Sequence, residues 1–339
     1  MADGMRIVHE DENSILLLDR EPLAWWGRSN RGLGWIEGDV WRGPASRWED
    51  ASVAGACGLV IEGRRRIVHS AVNGLAPVYW MDGSGATYFA SRIDPLVIAS
   101  PTRLSFDWDA WASIISLRYP VGELTPFAEI RRLGPHSTLR RRLGRSRAES
   151  PSWPWAELEP HLSLADGVEA AAEALRESLS PFVGEILCPL SGGLDSRALC
   201  SALPASGRDA GIALTVSDDE GARHEETIAE EVAAALGMRG EELGSRIEDY
   251  PRDWEERARR VEYQFVDHAW LVPLAFRVAG AEAPVLDGWA LDTLQQTGAR
   301  FHTPEVLDTE GLASNQALSR ACANTEMPPT LSRRGSGAR

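Results

Sequence analysis

The second half of the chain is best understood from residues 186–199, Ile186-Leu187-Cys188-Pro189-Leu190-Ser191-Gly192-Gly193-Leu194-Asp195-Ser196-Arg197-Ala198-Leu199. It predicts an apolar strand, a glycine-rich turn and a helix start that carries Asp195 and Ser196. Two adjacent glycines let backbone N–H groups approach an anion without hindrance from a Cβ atom. The positive end of the helix dipole points at the same place. The stretch therefore predicts a phosphate-binding loop, with an ordinary capped strand–turn–helix connection as the alternative.

Asp195 adds a carboxylate to this loop, and carboxylate oxygens are ligands that Mg²⁺ prefers. The loop is not a Walker A motif, which would need Gly-x-x-x-x-Gly-Lys-Ser/Thr. Ligands of parallel sheets bind beyond the carboxyl ends of the strands, and this loop follows such an end. The residues expected to hold the phosphates and Mg²⁺ of a nucleotide are Leu190, Ser191, Gly192, Gly193, Asp195 and Ser196.

Composition narrows the class of protein. A chain of 339 residues with 43% hydrophobic and 25% charged residues is typical of a globular protein of two domains. Its net charge of −15 argues against nucleic acid as the main partner. The acidic N-terminus predicts no signal peptide, and no run of eighteen apolar residues predicts a membrane span. We expect a cytoplasmic protein.

The four cysteines, Cys57, Cys188, Cys200 and Cys322, lack the spacing of a metal site.

The pattern of the chain changes near residue 150. Residues 1–150 are β-rich, and a Pro- and Trp-bearing linker at 150–160 leads to an α/β pattern over residues 160–310. Residues 325–339 predict a disordered tail. The predicted strands are 14–18, 57–61, 66–71, 77–80, 86–90, 186–190, 211–216, 241–244 and 285–286. Helices are expected at 107–117, from 164 to 179, through Ile228, Val232 and Leu236, and around 253–279. Strands that alternate with helices predict a parallel, doubly wound sheet in the second domain.

Ser191 to Ser196 resembles the PP-loop signature of ATP pyrophosphatases, and three earlier segments extend the likeness. These are Gly74-Leu75-Ala76-Pro77-Val78-Tyr79-Trp80, Tyr88-Phe89-Ala90-Ser91-Arg92-Ile93-Asp94-Pro95-Leu96 and Thr125-Pro126-Phe127-Ala128-Glu129-Ile130-Arg131-Arg132-Leu133-Gly134-Pro135. In this order they resemble the asparagine synthetase superfamily over about the first 300 residues. The resemblance implies an N-terminal nucleophile hydrolase-like α+β sandwich, followed by a PP-loop domain of the adenine nucleotide α-hydrolase type. It also implies ATP and Mg²⁺, a carboxylate activated as an acyl-adenylate, and an amine that displaces AMP to form an amide.

The resemblance implies further site residues. Val216 takes the position that holds the adenine edge through the backbone. Leu286-Asp287-Gly288-Trp289-Ala290-Leu291-Asp292 aligns with the superfamily's second ATP motif. Asp287 and Gly288 would lie near the α-phosphate, and Asp292 would join Asp195 as a catalytic Mg²⁺ ligand, with a surface or turn aspartate as the alternative. For Glu225 and Glu226, a solvated helix start is expected.

Two departures qualify the expected activity. The superfamily's glutaminase uses a cysteine at position 2 as its nucleophile, but this chain has Ala2 there. The first domain is therefore expected to be a degenerate scaffold, as in β-lactam synthetases and lasso-peptide macrolactam cyclases, and the substrate to be a small molecule or peptide carboxylate. The second departure concerns the superfamily's catalytic lysine, because this chain contains no lysine. Arg300 could supply charge but no proton transfer.

The sequence leaves several alternatives open. The chain ends 47 residues after Asp292, so a truncated second domain is expected. A truncated relative of glutamine-hydrolysing asparagine synthase would fit, and so would a non-catalytic ATP-binding subunit or a degraded gene product. A partner protein, either a leader-peptide protease or a subunit that completes the site, is also possible.

Overall fold

The computed structural model describes residues 6–11, 14–18, 24–29, 32–38, 56–62, 65–72, 74, 76–83, 85–142, 145–150, 162–180, 182, 184–208, 211–218, 223–265, 268–281 and 283–288. The chain divides into two units, and the fold is mixed α/β. The first unit comprises Met1–Glu159 and Glu262–Phe265, and the second comprises Pro160–Val261 and Val266–Arg339. Several expected features lie outside the described residues: the linker after Ser150, the C-terminal tail, Ala2, Arg300 and Asp292.

Antiparallel sheets dominate the first unit. Its strands are β1 (Arg6–Asp11), β2 (Ser14–Leu18), β3 (Ala24–Ser29), β4 (Gly32–Gly38), β5 (Ala56–Glu62), β6 (Arg65–His69), β7 (Tyr79–Asp82), β8 (Thr87–Ala90), β9 (Arg131–Arg132), β10 (Thr138–Arg142) and β11 (Arg145–Glu149). Six of them form one sheet in the order β11-β10-β6-β5-β4-β3, three form a second in the order β8-β7-β9, and β1 pairs with β2. The predicted strand at 14–18 and the predicted hairpin turn after Met81 are confirmed.

The core of the first unit follows from side-chain alternation along its strands. Leu59 lies opposite Val68, and Val68 lies opposite Leu139, so the three buried side chains form one row across three strands. They belong to a cluster with Leu16 and Leu133. Burial of such rows supplies most of the stabilisation of a sheet that is polar on its other positions.

Asp82 links the two larger sheets of this unit. Its carboxylate accepts hydrogen bonds from the amide and the hydroxyl of Ser146, at 3.0 Å and 2.6 Å, and from the hydroxyl of Thr87 at 3.1 Å. Partial burial acts to raise the pKa of Asp82, but these hydrogen bonds and the charge of Arg141 outweigh it and lower that pKa. The side chain of Asp82 thereby covers the unpaired backbone edge of β11 at Ser146.

The described residues of the first unit also form two helices, α1 (Ile93–Ala99) and α2 (Trp108–Leu117). The prediction of α2 is confirmed, and its start has a clear cause. The side chain of Asp107 accepts hydrogen bonds from the amides of Asp109 and Ala110, at 3.1 Å and 3.0 Å. Arg118 ends the helix in a left-handed conformation, with φ at 72°.

A parallel sheet organises the second unit. Its strands are β12 (Leu187–Pro189), β13 (Ile212–Asp218) and β14 (Arg239–Ser245), and Val285 adds a parallel bridge to Leu187 on the other side of β12. The helices are α3 (Leu164–Leu179), α4 (Leu194–Ala205), α5 (His224–Ala235), α6 (Tyr250–Arg260) and α7 (Val272–Ala279). The expected parallel sheet and its third strand are confirmed. At the expected fourth strand, 285–286, the structure has a single parallel bridge between Val285 and Leu187.

Both faces of this sheet are covered, as a doubly wound sheet requires. On one face, Cys188 and Ala213 pack with buried residues of α4 and α5 such as Leu203 and Ala229. On the other face, Leu187, Ile212 and Leu214 pack against Leu274 and Val278 of α7. The change of side follows from the right-handed crossover rule. The crossovers through α4 and α5 run toward β14, the one through α7 runs back past β12, and opposite directions place the helices on opposite faces.

Three sequence predictions need correction in this unit. The helix expected around 253–279 is two helices, because Glu262 and Tyr263 adopt positive φ and Pro273 starts α7 afresh. The expected face of α5 is correct for two of its three residues: Val232 and Leu236 pack against the core, whereas Ile228 is exposed. The fully buried residues of α5 are Glu226, Ala229 and Ala233. The expected solvated position of Glu226 is therefore wrong, while Glu225 is exposed as expected.

None of the helices in the described part of the chain combines the length and the apolar composition that a membrane crossing needs. The cysteines Cys57, Cys188 and Cys200 are buried, and none of the three forms a disulfide. The last two are close enough to hydrogen-bond, and that contact together with burial raises the pKa of Cys188. The expectation that Cys188 and Cys200 are small buried side chains is confirmed.

Candidate functional site

The loop from Ser191 to Ser196 is closed by its own hydroxyl groups. Ser196 Oγ lies 3.2 Å from the amide nitrogen of Ser191 and accepts its hydrogen bond. The same hydroxyl lies 3.3 Å from each of the carbonyl oxygens of Ser191 and Gly193, to which it can donate. The amide of Gly193 in turn donates to Ser191 Oγ at 3.1 Å. These contacts hold the loop as a compact ring before the first turn of α4.

Glycine is required at position 192 by a close approach of backbone. A Cβ atom on Gly192 would lie 3.1 Å from the Cα of Glu225, in the first turn of α5. A Cβ on Gly193 would lie 3.2 Å from Ser191 Oγ, which is the hydroxyl that accepts from the Gly193 amide. The two glycines thus leave a backbone surface that a side chain would fill, as a phosphate-binding loop needs.

The start of α4 faces this surface with unsatisfied donors. Gly193 is the N-cap residue, with φ at −73° and ψ at 155°, and no side chain caps the helix. The first amides of a helix have no partner within it, and they carry the positive end of the dipole. Leu194 is 68% exposed, and Asp195 is half-buried in this first turn. The geometry suits an anion at the helix N-terminus.

Gly288 lies directly against the start of α4. The amide of Leu286 donates to the carbonyl of Leu187 at 2.8 Å, which ties the segment after Val285 to β12. A Cβ atom on Gly288 would lie 3.2 Å from the backbone nitrogen of Ser196 and 3.3 Å from the carbonyl carbon of Asp195. The segment that ends at Gly288 therefore packs on the loop, and Asp287 beside it is exposed.

Strand order explains why these two segments meet. From β12 the chain moves to β13 and then to β14 on one side, and it returns to Val285 on the other side of β12. The order of strands reverses between β12 and Val285. In open parallel sheets, the crevice beyond the strand ends at such a reversal is where ligands bind. The Ser191–Ser196 loop and the Leu286–Gly288 segment follow the two strands that flank it.

Most of the predicted site residues are thus brought together, and one lies one strand away. Leu190 to Ser196 and Gly288 share one surface, while Val216 is half-buried in β13, opposite Leu243 of β14. The amide of Leu190 donates to the carbonyl of Leu214 at 2.9 Å, so the strand that carries Val216 adjoins the loop. Asp292 lies outside the described residues.

Sequence reasoning missed Thr215 as part of this arrangement. Its hydroxyl donates to the carbonyl of Leu190 at 3.0 Å, which fixes the residue between β12 and the loop. The only sequence signal was a hydroxyl residue near a strand end. The sequence also predicts that Glu226 is exposed to solvent. The spacing of apolar residues along the helix gives no sign that this glutamate is buried.

A divalent cation would find one protein carboxylate among the described residues of the loop. In that part of the chain, no group of three His, Cys, Asp or Glu residues is arranged to hold a metal ion. Mg²⁺ in nucleotide sites is commonly held by one or two carboxylates, phosphate oxygens and water. Asp195 fits that set, because it adjoins both the glycine surface and the free helix amides.

No family model matches this chain, and no curated protein matches it. The resemblance to the asparagine synthetase superfamily rests on the motifs alone. What the site does is therefore argued from its own chemistry.

Proposed function

We propose that this chain is an ATP-dependent carbon–nitrogen ligase that joins a carboxylate to an amine. A carboxylate oxygen attacks the α-phosphorus of ATP, and pyrophosphate leaves. The amine nitrogen then attacks the acyl carbonyl carbon, loses a proton, and AMP leaves. The observation that carries the proposal is the position of the Ser191–Ser196 loop, where the strand order reverses and Gly288 packs against it.

Each part of the site has a role in this reaction. The amides around Gly192 and Gly193 would bind phosphate oxygens, the backbone of Val216 the adenine edge, and Gly288 the backbone side of the α-phosphate. Asp195 would hold Mg²⁺ together with Asp292. Mg²⁺ supplies charge neutralisation at the phosphates when bound. The contribution of the protein would be positioning and electrostatic stabilisation of charge that develops at the α-phosphorus.

The substrate class follows from the expected loss of glutaminase chemistry. Because this chain has Ala2 where the superfamily's glutaminase has its nucleophilic cysteine, the proposal takes no ammonia from glutamine. We therefore favour an amine carried by the substrate or by a second small molecule, as in natural-product or lasso-peptide macrolactam formation, over asparagine synthesis. The site belongs to a cytoplasmic enzyme in this proposal.

One observation favours a second candidate function, a non-catalytic ATP-binding subunit. The chain contains 35 basic residues, and all of them are arginine. The lysine that the superfamily uses in the amide-forming step has no equivalent here, and arginine cannot transfer a proton in its place. Such a subunit would bind ATP but would need a partner chain for the reaction.

Calorimetric titration with ATP and Mg²⁺ tests the shared part of both candidates. We expect binding to the unmodified chain and an affinity at least about tenfold lower for Asp195→Asn, the loss expected when a charged contact is removed. The matched control is Asp109→Asn, which changes an aspartate in the first turn of α2. No binding to the unmodified chain would overturn both candidates.

Product analysis then separates the two candidates. ATP, Mg²⁺ and mixtures of candidate carboxylates and amines are incubated with the chain, and pyrophosphate and AMP are measured. Stoichiometric release of both with an amide product supports the ligase. Binding of ATP without any pyrophosphate supports the subunit and contradicts the ligase.

A further inference from the structure

A cleft of about 260 Å³ opens between α5 and the two strands beneath it, β13 and β14. The residues that matter for its chemistry are Ala213, Thr215, Glu226, Ala229, Ala233 and Gly240. Small side chains on both the helix and the strands leave this space unfilled, where larger ones would have closed it. The volume corresponds to that of about nine water molecules in the liquid.

Glu226 is buried in this cleft without a partner. It is 7% exposed and lines the cleft from the first turn of α5. In the described part of the chain, no group hydrogen-bonds to its carboxylate or forms an ion pair with it. The carboxylate oxygens of Glu226 are not fully enclosed, so a ligand in the cleft can contact them. A cationic ligand would form a charge-assisted hydrogen bond with this carboxylate.

The surrounding charges favour a cation as well. Glu230 and Glu242 also line the cleft, and they share the guanidinium of Arg223, whose Nη2 lies 3.7 Å from Glu230 Oε1 and 3.0 Å from Glu242 Oε2. Glu241 is held by Arg277, at 2.7 Å. The carboxylates therefore outnumber the cations that reach them, and Glu226 is the one that none of the described arginines approaches.

The shape favours an aliphatic ammonium group over a metal ion. The described residues offer no set of three His, Cys, Asp or Glu ligands for a metal. The floor is apolar, because Ala213, Ala229 and Ala233 form it. The hydroxyl of Thr215 donates to Leu190, so its lone pairs can accept from an N–H group of a ligand. A carboxylate, a hydroxyl acceptor and an apolar floor suit an ammonium group on a short alkyl chain.

The cleft adjoins the candidate phosphate-binding loop. Thr215 connects the two, because it lines the cleft and bonds the carbonyl that precedes the loop. Glu225, the neighbour of Glu226, packs closely against Gly192. A ligand whose ammonium group lies at Glu226 could therefore extend toward the loop.

We propose that this cleft binds the ammonium group of a short aliphatic amine through Glu226. We infer further that this amine is a substrate of the ligase, held by a non-reacting ammonium at one end while another amine reacts. This second step rests on the function proposed above, whereas the binding site itself does not rest on it. The chain has no lysine, so no lysine side chain of its own can occupy the cleft.

Binding of n-butylammonium to the full chain, measured by calorimetry without ATP, tests the site. We expect saturable binding, and affinity at least about tenfold lower for Glu226→Gln, which removes the charge and keeps the shape. The matched control is Glu231→Gln, an exposed glutamate of the same helix. The neutral isostere 1-butanol should bind at least about tenfold more weakly than n-butylammonium.

The outcomes separate this site from the ligase. If ATP binds and pyrophosphate is released but n-butylammonium does not bind, the cleft proposal fails and the ligase stands. If n-butylammonium binds through Glu226 but ATP does not bind, the site stands and the ligase fails. Equal affinity of Glu226→Gln and the unmodified chain, with unchanged circular dichroism, would also overturn the cleft proposal.

Discussion

At the scale of single residues, His69 makes the first unit sensitive to acid. It is fully buried in β6, and burial, with a smaller effect of His136, lowers the pKa of His69 to about 4. In the unfolded chain that pKa is about 6.5. The folded state therefore holds His69 neutral in a range of pH where the unfolded state takes up a proton.

The stability of the protein should fall as pH decreases from about 6.5 to about 4, because protonation of His69 then favours the unfolded state. The difference between the pKa of His69 in the folded and in the unfolded state corresponds to about 3 kcal/mol in the free energy of unfolding. This stability is fully present above about pH 6.5 and is lost by about pH 4. Urea unfolding across this range measures it. His69→Gln should flatten the dependence, whereas His136→Gln should keep most of it. An equally steep dependence in His69→Gln would show that other groups cause it.

At the scale of elements, the pairing of β13 with β12 depends on Gly211. The amide of Ile212 donates to the carbonyl of Ile186 at 2.9 Å, which brings that carbonyl beneath Gly211. A Cβ atom on Gly211 would lie 2.2 Å from the same oxygen. Because the obstacle is backbone within a buried parallel pair, it cannot rotate away as a side chain would.

Gly211→Ala should lower the free energy of unfolding by about 1–3 kcal/mol, the usual cost of overpacking. The matched control is Gly244→Ala in β14, where a Cβ would meet no atom within 4 Å. That change should alter stability by less than about 1 kcal/mol, and in the favourable direction, since alanine is less flexible than glycine in the unfolded chain. Similar urea midpoints for the two variants would contradict this account of the strand pair.

Sequence patterns predict some of the helices and strands and miss others. The strand at Ser14–Leu18 and the helices α2 and α3 were predictable, because apolar spacing and the caps Asp107 and Ser163 are local signals. The strands β10 and β11 were not predicted, because their arginines mask the alternation of Leu139 and Ala148. No residue type signals the positive φ of Glu262 that separates α6 from α7.

For the candidate site, the loop was visible in sequence and its surroundings were not. Two glycines and a following helix are a local pattern, whereas the contacts of Gly192 with Glu225 and of Gly288 with Ser196 depend on strand order. The burial of Glu226 depends on how α5 rotates over the sheet. That rotation places Ala229 and Ala233 inward in place of Ile228, and it is determined by packing against β13 and β14.

At the scale of the whole molecule, arginine and histidine are the only basic side chains of the chain. The chain has 50 acidic residues and 35 arginines and no lysine. An arginine keeps its proton at every pH where the protein is folded, and it binds phosphate through a planar pair of donors. In the proposed ATP site, any positive charge from a side chain at neutral pH would therefore come from arginine or histidine. Amine-directed reagents should then leave the proposed nucleotide binding intact.

Treatment with the N-hydroxysuccinimide ester of acetic acid, followed by hydroxylamine, should add no more than one acetyl group, at the terminal amine. The affinity for ATP and Mg²⁺ should stay within about twofold of that of the untreated chain. Phenylglyoxal, which modifies guanidinium groups, provides the comparison and should weaken binding if arginine assists the phosphates. Mass spectrometry counts the modified groups, and calorimetry measures the affinity. A large loss of affinity after acetylation alone would place the terminal amine in the nucleotide site and contradict a site whose charge comes from side chains.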